Sequence, residues 1–97
     1  MQTLEKKQGL ITRIIDDECM ILNPDDGYMH VLNATGKEVW ELLDTCSTVE
    51  QLIDTMYSRY QAEVSRELLQ NDITEIINSL KEHRLVMEQE DSRSRSG

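Results

Sequence analysis

One stretch limits the fold more than any other: Leu32-Asn33-Ala34-Thr35-Gly36-Lys37-Glu38-Val39-Trp40-Glu41-Leu42-Leu43, where an apolar pattern of period two gives way to a helical one. Ahead of it, Tyr28-Met29-His30-Val31-Leu32 has the aromatic and β-branched character of a short strand, with no Gly, Pro or formal charge. Behind it, Val39, Trp40, Leu42 and Leu43 set a broad apolar face on a helix. Asn33 and Thr35 carry side-chain oxygens suited to capping that helix, and Gly36 permits a sharp turn or a close approach. The strand and the helix are therefore fixed to one another by a very short joint.

Upstream, Met1–Gly9 is polar and reads as a flexible N-terminal arm. Leu10–Ile15 reads as a first strand, Asp16-Asp17 as a turn, and Glu18–Leu22 as a second strand with a continuous apolar run. Asn23-Pro24-Asp25-Asp26-Gly27 then supplies a full set of turn residues. Two short connections in succession predict an antiparallel meander with the second strand in the centre. The third strand, Tyr28–Leu32, lacks the Lys, Pro or inward charge that usually blunts an edge. Two readings of that edge are open at this level. Either a helix or the N-terminal arm covers it, or another polypeptide is meant to pair with it.

Three helices are predicted after the meander. The first spans about Thr35–Leu43. Ser47 with Glu50 and Thr48 with Gln51 form overlapping capping boxes for a second, reaching about Tyr60. Ser65 can cap a third, on which Leu69, Ile73, Ile76, Ile77 and Leu80 form the clearest amphipathic stripe in the chain. Leu85-Val86-Met87 is expected to fold back onto the core, and residues 88–97 read as a disordered tail. The fold class is thus α+β and winged-helix-like: a three-stranded antiparallel β-meander followed by three α-helices, in one domain over residues 10–87.

Charge and composition exclude more than they assign. With 19 acids against 10 bases, a net charge of −9 opposes nucleic acid and anionic membrane as partners, so a DNA-reading winged helix is disfavoured. No apolar run is long enough to span a membrane, and no secretory signal is evident, which points to the cytoplasm. Cys19 and Cys46 form no CxxC pair and read as small buried hydrophobes. His30 and His83 stand at no metal-ligand spacing, and no nucleophile elbow, P-loop or dinucleotide fingerprint is present. Neither an enzyme, a metal nor a cofactor is therefore expected. Trp40, beside Val39 and Leu43, reads as the largest filler of the core.

A Gly-aromatic strand, then Leu-Asn-x-Thr-Gly-x-x-Val-Trp-x-Leu-Leu, then a Thr-Val-Glu helix start resembles the PqqD-like family, small proteins that recognise precursor peptides in ribosomal natural-product biosynthesis. The resemblance runs from about Leu10 to Val86 and is most specific over Gly27–Leu43. It departs at Lys81-Glu82-His83-Arg84-Leu85-Val86, where the family often has a Gly, so a non-Gly residue must close the last helix here.

The resemblance implies a non-catalytic peptide chaperone, a recognition element that binds the leader segment of a precursor by strand addition. The pairing strand would be Tyr28, Met29, His30, Val31 and Leu32, and the groove wall would come from Leu69, Ile73, Ile76 and Leu80. The implied second partner is a modifying enzyme, a radical S-adenosylmethionine enzyme as in PQQ biosynthesis or a leader peptidase. A structural protein whose open edge pairs with a second copy is the alternative, so the expected state is a monomer or weak homodimer.

Overall fold

The joint read at Leu32–Gly36 is present in the computed structural model, which describes residues 2–60 and 63–90. Strand β4 (Tyr28–Leu32) ends at Leu32, and Asn33 takes an extended backbone conformation as the N-cap of helix α1 (Ala34–Leu42). Its side-chain Oδ1 accepts a hydrogen bond from the Gly36 N–H at 2.9 Å. A Cβ on Gly36 would lie 3.1 Å from the Leu32 Cβ, so the glycine lets the helix start directly against the strand it follows.

Strands β2 (Ile11–Ile15), β3 (Glu18–Asn23) and β4 form the expected antiparallel meander in the order β2-β3-β4. Asp16 closes the first connection with φ of 56°, a conformation Asp adopts more readily than most residues. In the second, Asn23 Oδ1 accepts from the Asp25 N–H, Asp26 Oδ1 accepts from the Tyr28 N–H, and Gly27 takes φ of 76°. Asn23 is buried, and these turn contacts satisfy its amide. The register pairs Cys19 with Leu32 and Ile21 with His30 on the helix side, and Met20 with Val31 and Leu22 with Met29 on the far side. Burial on β3 alternates accordingly, despite its unbroken apolar run.

Helix α2 (Val49–Tyr60) starts from a composite of the two expected capping boxes: Thr48 Oγ1 accepts from the Gln51 N–H, while Gln51 Oε1 accepts from the Ser47 N–H. Helix α3 (Arg66–Glu82) is capped by Ser65, whose hydroxyl accepts from the Leu68 N–H. It closes without glycine. Arg84 takes φ of 62°, the Leu85 N–H reaches the Leu80 carbonyl and the Arg84 N–H that of Lys81, with Leu80 and Leu85 both buried. Trp40, 4% exposed, joins Val39, Leu52, Met56, Ile73, Ile77 and Ile21 in the core where the helices meet the sheet. Cys19 and Cys46 are buried free thiols in the same core.

Two expectations about the ends are corrected. The stretch read as a loose arm contains strand β1 (Gln2–Lys6), which pairs antiparallel with β5 (Val86–Glu90) in a separate two-stranded sheet. The Leu4 N–H donates to the Ser47 carbonyl at 2.6 Å, Leu4 is buried, and Lys6 lies over the Trp40 ring while pairing with Asp44. One apolar side chain in a polar run was too weak a signal to announce this strand. The tail reading also fails over Glu88–Glu90, which belong to β5; residues 91–97 lie outside the described residues. Leu85 and Val86 do fold back onto the core, as expected.

Candidate peptide-docking edge and groove

With β1 drawn away to β5, β4 is left paired on one side only. Among the described residues its register is to β3 alone, and no segment of the chain covers its outer edge. An edge strand of this kind presents backbone donors and acceptors to whatever approaches. Its side chains are also open: Tyr28 is 68% exposed, Met29 and Val31 55% each, with His30 and Leu32 half-buried against the helices. Met29 and Val31 adjoin Leu22 and Met20 on the far face of the sheet, where Ile11 and Ile15 are exposed as well.

On the helix side, a groove separates this edge from α3. One part, about 190 Å³, is lined by Val31, Leu32, Asn33, Gly36, Ile76, Ser79 and Leu80. A larger depression of about 360 Å³, bounded by Asn33, Thr35, Asp72, Glu75, Ile76 and Ser79, adjoins it and shares three of its lining residues. The floor exists because Gly36 has no side chain, and the wall because Ile76 and Leu80 stand on the flank of α3 nearest the strand. Ile76 is half-buried.

The structure thus divides the expected wall residues. Ile76 and Leu80 line the groove beside Val31 and Leu32. Ile73 is wholly buried in the core. Leu69 lines a different cleft, with Met56, Tyr60 and Val64 between α3, α2 and the start of α1. Ser79, Asn33 and Gly36 were not expected in the lining, and neither were the acids Asp72 and Glu75. Only the relative rotation of α3 on the sheet, set by tertiary packing, could have revealed them.

An aromatic contact joins β4 to the end of α3. His83, at the C-cap of α3, packs on His30 with ring centroids 4.7 Å apart. The two histidines are too few for a metal centre, and among the described residues no group of three or more His, Cys, Asp or Glu is placed to hold an ion. The wall itself is acidic. Asp72 and Glu75 are in no ion pair among the described residues, whereas three bases on the helices are engaged: Arg59 with Glu38, Arg66 with Asp54, and Lys81 with Glu88.

Residues 18–86 match the family described as Coenzyme PQQ synthesis protein D (PqqD). The chain belongs to the PqqD family. No curated protein matches it. Among solved structures, the PqqD-family chain is similar to TbiB1 in complex with the TbiA(beta) leader peptide, at 24% identity and a TM-score of 0.75, over 84% of this chain and 93% of that one. It is also similar to a lasso peptide synthetase B1 complexed with the leader peptide, at 25% identity and a TM-score of 0.72, over 87% of this chain and 96% of that one. The matched family region begins at β3 and ends at the first residue of β5, so it takes in both sides of the groove.

Proposed function

We propose that this protein captures the leader segment of a ribosomally made precursor peptide as an added strand on β4 and presents it to a modifying enzyme. The observation that carries the reading is the unpaired outer edge of β4 beside a groove walled by Ile76 and Leu80. Main-chain pairing with an edge supplies affinity for any extended segment, and alternate side chains entering the groove supply choice. Each apolar side chain seated there adds about 1.5–3 kcal/mol when fully buried. The PqqD family membership and the leader-bound state of both structural relatives support the same reading.

The docking residues we assign are Tyr28, Met29, His30, Val31 and Leu32 through the backbone, with Ile76 and Leu80 as the wall. The protein works as a cytoplasmic, non-catalytic module over residues 10–87, buttressed by the β1–β5 pair. The chemistry falls to its partner, a radical S-adenosylmethionine enzyme or a leader peptidase. No described helix is long and apolar enough to cross a membrane.

The test is titration with candidate leader peptides encoded beside its gene while backbone amide resonances are followed. Residues 28–32 and the Ile76–Leu80 flank of α3 should shift together and saturate in the micromolar range. Silence of those amides at high micromolar peptide, for every candidate, refutes the reading. A second reading, self-pairing through the same edge, draws on the exposed apolar face of Ile11, Ile15, Met29 and Val31. Concentration-dependent sedimentation of the peptide-free protein would favour it.

A further inference from the structure

The docking groove does not end where β4 ends. The part beside Val31 and Leu32 and the larger depression share Asn33, Ile76 and Ser79, so a strand laid on β4 and continued beyond Leu32 would meet the depression next. The depression is lined by oxygen-bearing side chains: carboxylates of Asp72 and Glu75, hydroxyls of Thr35 and Ser79, and the amide of Asn33. No Lys, Arg or His lines it. The Asn33 Oδ1 is already committed to capping α1, which leaves its amide N–H groups, two carboxylates and two hydroxyls to meet an incoming group. The N-terminus of α1 points the other way electrostatically, but a helix end amounts to roughly half a unit charge against two full carboxylates. The site is therefore net negative, and its free groups are chiefly acceptors.

We propose that the segment docking on β4 carries, just beyond the paired stretch, a lysine or arginine that seats between Asp72 and Glu75. An ammonium offers three donors and a guanidinium five, and neither accepts, which complements this lining. The proposal rests on the strand-addition reading above and adds a cationic requirement to it. An aliphatic or acidic residue in that register leaves the carboxylates unanswered, so leaders are sorted by charge at one position and by apolar fit at the others.

The experiment is selection of random 15-residue peptides by mRNA display against the whole protein. A synthetic copy of an enriched peptide is then titrated, with chemical shifts recorded. We expect Lys or Arg enriched at a single position flanking the apolar ones. The Asp72→Asn/Glu75→Gln double variant should bind the peptide about 3- to 10-fold less tightly, the scale of two partly exposed ion pairs. Norleucine in place of the selected base should cost the same factor, with no further loss when both changes are combined. Glu67→Gln, in the first turn of α3 and outside the depression, should leave affinity unchanged.

Peptides that shift the β4 amides but show no basic enrichment, or that bind the double variant as tightly as the wild type, overturn the cationic requirement and leave strand addition standing. Loss on acetylating the peptide's amino terminus, with none on norleucine substitution, assigns the charge to the terminus and overturns the side-chain assignment. Selection of no peptide, or only of peptides that leave the β4 amides unmoved, overturns strand addition itself and this inference with it.

Discussion

His30, on β4, and His83, at the cap of α3, pack with their rings tilted 58° to one another. Nδ1 of His83 lies 2.8 Å from the Ser79 carbonyl oxygen, so that nitrogen carries the hydrogen and donates it. Nε2 of His30 is buried with no partner among the described residues. A buried nitrogen without a partner costs stability, and an apolar side chain of similar size avoids that cost. His30→Leu should therefore raise unfolding stability by about 0.5–1 kcal/mol, read from urea denaturation. Backbone pairing on β4 survives the change, so peptide affinity should stay within about twofold. A stability loss above about 1 kcal/mol would show that Nε2 is satisfied in solution.

Arg84 holds a left-handed conformation that glycine reaches without penalty, within the Lys81–Val86 stretch where the resembled family often has a Gly. For a non-Gly residue this conformation costs about 1–2 kcal/mol, partly offset by the greater backbone entropy glycine loses on folding. Arg84→Gly should accordingly stabilise the protein by about 0.5–1 kcal/mol, and Arg84→Val should destabilise it by at least as much. Thermal melts of both variants check the pair. If the glycine variant melts lower than wild type, Arg84 makes a compensating contact in solution.

How far the sequence announced this architecture depends on where the signal was local. The Asn33 cap, the Asn23–Gly27 turn and the Ser65 cap all rest on residues within a few positions of each other, and all were legible; whether the edge of β4 is covered was not, because that depends on where β1 pairs. Strand β1 was not, because its partner β5 is distant in sequence and Leu4 is its single buried anchor. The groove wall was half legible. Periodicity put Leu69, Ile73, Ile76 and Leu80 on one stripe, but only packing decides that Ile73 faces the core while Ile76 faces the groove. The contact between His30 and His83 left no trace in spacing at all.

The role given to β1 has a direct test. Leu4 packs with the core cluster and donates its N–H to Ser47, tying the first residues to the start of α2. Leu4→Ala removes most of that buried side chain and should cost about 2–3 kcal/mol, visible as a lower urea midpoint. A loose arm would predict no change. The loss should leave peptide binding to the remaining folded protein intact, since β1 does not pair with β4 and none of its residues lines the groove.

Alkaline pH should weaken the fold through two identifiable groups. Burial, reinforced by the nearby Glu41 carboxylate, pushes the Cys19 thiol above its ordinary 9.0. Tyr60 donates its hydroxyl hydrogen to Glu38 Oε1 at 2.6 Å, and that bond, with some burial, pushes its phenol above 10.0. Both folded-state values lie above the unfolded ones, so the folded chain holds these protons more tightly. The stability they contribute is complete below about pH 9 and is lost as pH rises through the folded values. Urea midpoints should be flat in this respect from pH 7 to 8.5 and fall from pH 9 upward. Cys19→Ala should flatten the earlier part of that fall and Tyr60→Phe the later part, each at the expense of some stability at neutral pH. An alkaline decline unchanged in both variants would mean that neither proton is the one the folded state protects.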